Sequence, residues 1–561
     1  MLMPLKKYFS KNILFILILY VIVTFIFELF YFKYGGQLYV GDDLLFHYSR
    51  LMELLQSKNY NFPVIATHLF GGTGNQVNVF YPVQFVYPLM LLIKHFAHPV
   101  LMIYFYFGLF NFFTLILAHY AAYRLGKSVR FCLVFSVLYV FSFYRLLNFF
   151  KRADWGEFFA ATFIPLVFVG MYLITQQKGG RTLLVVGMCG LIFSHMLSVL
   201  LVSIFLLVWF LFCIYHSVMR ERIIRSLLQS ALMTLGVSFI FWFPFVVHYL
   251  KVPSGFKTTV ISFNVIKPVK WSVQLSSFLH NRMYYSSHLP NTIATIGTFA
   301  LILLVAIMIF FIKNYRLVNK SSWLILGLTL ICLWLTTPLF PWEIFKGTAV
   351  NIIQFPFRFN AFASLGISWC AAQLGEMIKS PKIKFLWTFS LICLTCIFSY
   401  NSVNQLMKLP PQKNVPALSN ANFYNYRSEL PATNDYFPKQ AQKYIGSIPY
   451  HITILNGKEA IASGRPGNNE STYTIHSEKK HNIIDLPFLC YSDNYSLTNW
   501  GKPLAYHFSK RGTFLVRTDT RVSKIKIKYQ PTFIDRYSGW ISVISIVFFI
   551  FLLLFKQRFE R

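Results

Sequence analysis

Acids are scarce in this chain. Its 561 residues include 19 Asp and Glu against 52 Lys and Arg, a formal charge of +33, and only nine of the acids precede residue 401. Charged residues of both signs make up 13% of the sequence while 56% is hydrophobic, more apolar surface than a soluble fold can bury. Cysteine is sparse too. Seven of the eight lie in or beside apolar runs and Cys490 stands alone in the large polar region, which excludes a disulfide framework there. The single C-x-x-C, Cys393 to Cys396, sits inside an apolar run and reads as packing. The single H-x-x-H, His95 and His98, has no acid or Cys beside it to complete a metal shell. There is no G-x-S-x-G, and no Gly-Lys-Ser/Thr follows the glycine-rich Leu69-Phe70-Gly71-Gly72-Thr73-Gly74-Asn75. A serine hydrolase, a structural zinc site, a redox disulfide and a nucleotide P-loop are thereby unsupported; the glycine stretch reads as a turn, or as a nest of N–H groups for phosphate. No internal repeat or low-complexity tract is present.

What the chain has is apolar runs of membrane-spanning length. Its surplus of bases does not point to nucleic acid, because many sit in short loops between those runs, where they set orientation. Lys6, Lys7 and Lys11 precede a run at 12–32 that is too long for a signal-peptide core and lacks a small-residue cleavage site, so it reads as a retained first span. With the N-terminus inside, the basic loops at Arg124 to Arg130, Lys178 and Arg181, Arg220 to Arg225, Lys313 to Lys320, Lys379 to Lys384, and Lys556 with Arg558 all fall on the cytoplasmic side. The expectation is a polytopic α-helical membrane protein of about 12 transmembrane helices, with both termini cytoplasmic. The short run at 79–94, with Pro82 and Pro88, is expected to re-enter from the outer side. The domains are then a multi-spanning unit at 1–400 whose first external loop is 33–78, an extracytoplasmic region at 401–537, and a last span with its tail at 538–561. Alternating runs at His451 to Leu455, Tyr473 to His476, Thr513 to Arg517 and Lys524 to Tyr529, with turns at Asn456-Gly457 and Gly512, predict a β-sandwich-like fold for 401–537. Its role is structural cover or acceptor binding.

The few acids of the first 400 residues are not scattered. Glu221 and Glu376 fall inside, whereas Glu28, Asp42, Asp43, Glu53, Asp154, Glu157 and Glu343 fall at or near the outer side. The positive-inside rule says little about acids, so an outward-facing polar cavity is the simplest cause. Four stretches are placed to line it. The first is Gly41-Asp42-Asp43-Leu44-Leu45-Phe46-His47-Tyr48-Ser49-Arg50. As a helix it puts Asp43, His47 and Arg50 on one face and Leu44, Tyr48, Leu51 and Leu55 on an apolar stripe, as in a helix lying along the membrane surface; Asp42 is alternatively an N-cap with Asp43 in the first turn. The second is Lys151 to Glu157, where Arg152 and Asp154 form either an exposed pair or part of the site. The third is Ser194-His195, a polar turn or a site histidine. The fourth is Gln354 to Arg358, whose arginine either snorkels or turns inward.

These motifs, in this order, together with Phe80-Tyr81-Pro82 after the glycine stretch and a soluble region before the last span, resemble the YfhO-like bacterial membrane protein family, whose relatives are labelled 6-pyruvoyl-tetrahydropterin synthase-related. That family is similar to the GT-C class of multi-spanning glycosyltransferases. The resemblance implies a GT-C-like membrane glycosyltransferase of the bacterial cell membrane, moving a sugar from a polyprenyl-phosphate donor to an envelope glycopolymer such as teichoic acid, or another acceptor, on the outer face. An acid in the first external loop is the catalytic centre of that class, which assigns Asp43, with Asp42 beside it. His47, Arg50, Arg152, Asp154, Glu157, His195, Gln354 and Arg358 then bind substrate. The class is divided on metal use; if a divalent cation such as Mg or Mn takes part, Asp42 and Asp43 are the expected ligands. A transporter or flippase for lipid-linked sugars, or a non-catalytic assembly protein, is the alternative.

Overall fold

The computed structural model describes residues 12–57, 62–217, 219–252, 255, 266–285, 291–410, 416–426 and 435–555. The basic N-terminal residues and Lys556 and Arg558 lie outside that set. Among the described residues, seven helices are long and apolar enough to cross a bilayer: Ile13–Lys33, Pro99–Arg124, Val129–Phe150, Trp155–Thr175, Met196–Tyr215, Pro381–Met407 and Phe533–Leu554. Arg220–Val237 and Phe239–Lys251 would make an eighth, but the pair bends by 78° at its break. Helices also form at the remaining expected crossings, but they are shorter or more polar. Arg181–Ile192 has 12 residues, and Thr298–Lys313 and Lys320–Leu335 have 16 each. At 1.5 Å per residue these reach about 18 and 24 Å, less than the ~30 Å of a hydrocarbon core. Val86–His95, ten residues long, is shorter still, in keeping with a segment that does not cross.

The polar region carries two five-stranded sheets. One runs β10 (Tyr506–Phe508), β11 (Thr513–Thr518), β7 (Asn482–Leu489), β3 (Ile452–Leu455) and β4 (Lys458–Ile461). The other runs β5 (Arg465–Gly467), β6 (Glu470–His476), β12 (Val522–Tyr529), β8 (Tyr495–Asn499) and β9 (Lys502–Pro503). Ile484, Leu486 and Phe514 of the first and Tyr473, Ile525 and Leu497 of the second share one buried core. Asn456 and Gly457 both take positive φ (52° and 83°), the backbone a two-residue hairpin between β3 and β4 demands. The helix Pro381–Met407 runs past residue 400, so the membrane unit ends later than expected.

Two seams tie this region to the loop after the first span. Gln37–Leu38 (β1) pairs with Leu418–Ser419 (β2). The glycine-rich stretch forms the second. Gly71 and Gly74 have positive φ, and a Cβ on Gly74 would sit 2.3 Å from the Phe488 ring. The Leu489 N–H donates to the Thr73 carbonyl at 2.8 Å. These glycines let one backbone press against another, and the Gly72 and Gly74 N–H groups donate to the Leu69 and Ala66 carbonyls, as a turn requires.

Candidate functional site

The first-loop helix, Leu44–Gln56, does not lie on the surface. Leu44, His47, Tyr48, Arg50, Leu51 and Glu53 are among its buried residues, so it is enclosed on several faces. Its entry is set by backbone contact with the turn after Phe150. The Asp42 N–H donates to the Lys151 carbonyl (3.2 Å) and the Asp43 N–H to the Arg152 carbonyl (2.7 Å). Only glycine fits at position 41, where a Cβ would lie 2.1 Å from the Lys151 oxygen. Asp43, rather than Asp42, occupies the N-cap position, and its side chain makes no capping bond.

The opposing turn is equally constrained. Ala153 sits at φ 54°, a costly value for a residue with a Cβ. Asp154 caps the helix that begins at Trp155 by accepting from the Glu157 N–H at 3.0 Å. Gly156 leaves space into which the Tyr81 hydroxyl and the His195 ring close.

Around these turns the predicted charges converge. Arg152 Nη2 meets Asp154 at 2.9 Å and Arg152 Nη1 meets Glu157 at 3.0 Å. Arg358 pairs with Glu157, lies 4.0 Å from Asp154, and donates to Gln354 Oε1 at 3.0 Å. All four charged residues of this knot are buried, so neither the exposed-pair reading of Arg152 nor the snorkelling reading of Arg358 holds. His195 is at once the polar turn residue and a member of the group: its ring caps the next helix by accepting from the Ser198 N–H at 3.3 Å, and it belongs with Asp154 and Glu157 to a set of three whose ligand atoms lie within 4.8 Å of one another. His47 stacks on Trp155 with ring centres 5.2 Å apart.

Asp43 stands at the edge of the knot, 3.8 Å from Arg152, with 42% of its side chain exposed. Desolvation by the surrounding protein raises its carboxyl above the usual range, opposed by the Arg152 guanidinium and assisted by Asp154 and Asp42. Asp154 goes the other way. Burial would raise it, but Arg152, His195 and Arg358 outweigh that and hold it below the usual range. Burial, with Arg50 beside it, lowers His47 to about 3, so it is neutral at physiological pH.

Several expectations are corrected. Arg50 does not face Asp43: it binds the Pro82 carbonyl at 2.6 Å and the Tyr81 carbonyl at 3.1 Å, under the Tyr81 ring. Asp42 and Asp43 do not chelate together, because Asp42 is taken by the Lys151 ammonium at 2.5 Å and by the Thr292 hydroxyl. The triad that could face a cation is Asp154, Glu157 and His195, yet Arg152 and Arg358 already neutralise its carboxylates. A dication would have to displace two guanidiniums, so these residues do not fit a resident metal. Of the seven outer acids only four converge. Glu53 staples its own loop, accepting from the N–H groups of Thr67, His68 and Leu69. Glu28 lies against Gly108 inside the first span, and Glu343 is exposed. Nor is the group an open cavity. The space beside it, lined by Tyr144, Arg145, Asn148, Ser198 and Arg358 among others, amounts to about 20 Å³, enough for an ordered water and too little for a sugar.

Sequence reading missed Tyr144 and Arg145, and gave Lys151, the first residue of its second stretch, no role of its own. Lys151, Tyr144 and Arg145 are buried, and Tyr144 donates to Glu157 at 2.6 Å. Arg145 was detectable as the only charge in an apolar run, where an ionisable residue is rarely idle. It binds the Phe158 carbonyl (2.9 Å) and the Thr114 hydroxyl (2.9 Å), with no carboxylate in ion-pair reach among the described residues. Comparison with protein-family models and with curated proteins gives no match, so the resemblance stands on its motifs alone.

Proposed function

We propose that this chain is a membrane glycosyltransferase that moves a sugar from a polyprenyl-phosphate donor to an envelope glycopolymer, such as teichoic acid, or another acceptor outside a bacterial cell membrane. One observation carries the reading: a half-exposed carboxylate, Asp43, is held by backbone bonds beside buried guanidiniums. Lys151, Arg152 and Arg358 are buried against Asp42, Asp43, Asp154 and Glu157, and Arg50 and Arg145 are two further buried cations that bind backbone carbonyls. Buried guanidiniums favour an anionic ligand, and a lipid phosphate supplies one.

In the reaction, the acceptor hydroxyl gives its proton to the Asp43 carboxylate as its oxygen bonds the anomeric carbon. The bond from that carbon to the phosphate oxygen breaks, and the phosphate leaves with the electron pair. Arg152 and Arg358 stabilise the departing charge. The raised proton affinity of Asp43 suits a base working near neutral pH. Because the interior is closed, donor and acceptor meet over the exposed side of Asp43. Twelve crossings, cytoplasmic termini and an outer 401–537 region belong to the same proposal, supported by the basic short loops.

The transport alternative has one feature in its favour. Glu28 and the Tyr20–His119 hydrogen bond (2.7 Å) lie within the spans. The test is the purified chain in vesicles, supplied with a polyprenyl-phosphate sugar and a polymer acceptor. Sugar incorporation that Asp43→Asn abolishes supports transfer; movement of the intact lipid-sugar between leaflets, without incorporation, supports transport.

A further inference from the structure

The outward face of the second sheet is unlike any other surface described here. In β12, Ser523, Ile525, Ile527 and Tyr529 are buried and Lys524, Lys526 and Lys528 alternate onto the opposite face. Strand geometry sets successive lysines roughly 6.8 Å apart in one column. The register places Thr474 opposite Lys524, and Thr472 and Thr498 opposite Lys526, while Lys528 faces Ser496 on one side and Glu470 on the other. Arg465 of β5 extends the Thr472 row. The exposed Trp500 closes one end, its ring centre 5.6 Å from Lys524 Nζ. Glu470 is the acid of these rows and pairs with Lys526 at 2.8 Å. Lys524 and Lys528 have no carboxylate in ion-pair reach among the described residues.

Folding does not call for this column. Lysine is a weak strand former and like charges on one strand face repel, whereas threonine would serve the sheet better. The central strand of the other sheet, β7, differs: Ile483, Asp485 and Pro487 hold its alternate positions, without a lysine, and Asp485 is buried against Arg511 and Thr513.

We propose that this face binds a linear polyanion, a phosphate- or carboxylate-bearing polymer laid along β12. The lysines take successive anionic groups, the flanking hydroxyls bond the polymer backbone, and Trp500 offers a flat surface for a ring. A single file of charge flanked mainly by hydroxyls, with Glu470 and Arg465 as the exceptions, fits an extended chain, whereas a bilayer surface would be met by a broader field. The inference does not depend on the transfer reaction.

The test uses the full chain in discs of neutral lipid, with labelled long-chain inorganic polyphosphate as probe and dextran as the neutral control. The triple variant Lys524→Thr, Lys526→Thr, Lys528→Thr is expected to lose affinity at least tenfold, and its log–log salt slope to fall by about 2, as three fewer counterion-releasing contacts require. The triple Lys→Arg variant keeps both. Lys528→Thr alone, the least disruptive change, is expected to weaken binding about threefold with an unchanged melting temperature. Asp43→Asn is expected to bind polyphosphate as the wild type does, which separates this proposal from the catalytic one. Equal affinity of wild type and triple Thr variant overturns the proposal. So does equal binding of dextran, or a loss confined to vesicles of anionic lipid with polyphosphate binding intact.

Discussion

Two pairs of carboxylates sit a few ångströms apart and behave as opposites. Asp154 and Glu157 are buried and met by Arg152 and Arg358, with every charge answered within the knot. Asp42 and Asp43 are adjacent in sequence but diverge: Asp42 goes to Lys151, and Asp43 is left partly open with Arg152 at 3.8 Å. The closed pair is the kind of group that fixes geometry, and the open carboxylate is the kind that can exchange a proton. Neighbouring acids in a sequence are therefore no guide to a shared task, because helix entry turns consecutive side chains in different directions.

Breaking the closed pair is expected to cost most. Glu157→Gln leaves two guanidiniums facing one remaining acid, and destabilisation of about 3–5 kcal/mol is expected, seen as a large drop in melting temperature and in yield of folded protein. If Glu157→Gln melts like the wild type, the knot is not the scaffold described. Asp43→Asn is expected to reverse that pattern: transfer falls by about 10²–10⁴-fold, the usual range for a positioned base, while melting is unchanged. Third, the pH–rate profile sharpens the contrast. A base whose folded pKa lies above the ordinary carboxylate value must lose its proton to act, so the rate rises about tenfold per pH unit and levels off near about 7 instead of near the ordinary ~3.9. Asp154 gives the opposite signature in stability, because its folded value is depressed. Its contribution is present above the unfolded carboxylate value and is lost as the pH falls through the folded one. The smallest effect is expected from Asp42→Asn. The Lys151 partner is buried but Asp42 itself is 41% exposed, so solvent screens much of the pair and about 1 kcal/mol is at stake, readable by denaturant titration.

The sequence carried more of the fold than of the site. Apolar length and basic loops located the helices, and alternation found β3, β6, β11 and β12. It did not find β7, whose near-continuous burial hides the two-residue period. In the site, the convergence of Asp43, Asp154, Glu157, His195 and Arg358 was legible because acids are so few. The partners were not. Arg50 turned to backbone carbonyls, and Asp42 to Lys151, because those contacts depend on the close approach at Gly41 and on the extended Tyr81–Pro82 backbone. Composition and spacing carry no trace of either. The cavity expected from the clustered charges was replaced by direct pairing for the same reason: four acids and several bases in one small volume neutralise one another before they leave room for a guest.

The pressing of Gly74 against Phe488, and of β1 against β2, has a consequence for how the molecule is made. The strip that carries Asp43 leaves the ribosome some four hundred residues before the surface that braces it. At 5–20 residues per second, roughly 20–80 seconds separate them. The brace on the first loop is therefore completed late in synthesis, and a nascent chain halted before β7 would thread its early helices with that loop unbraced.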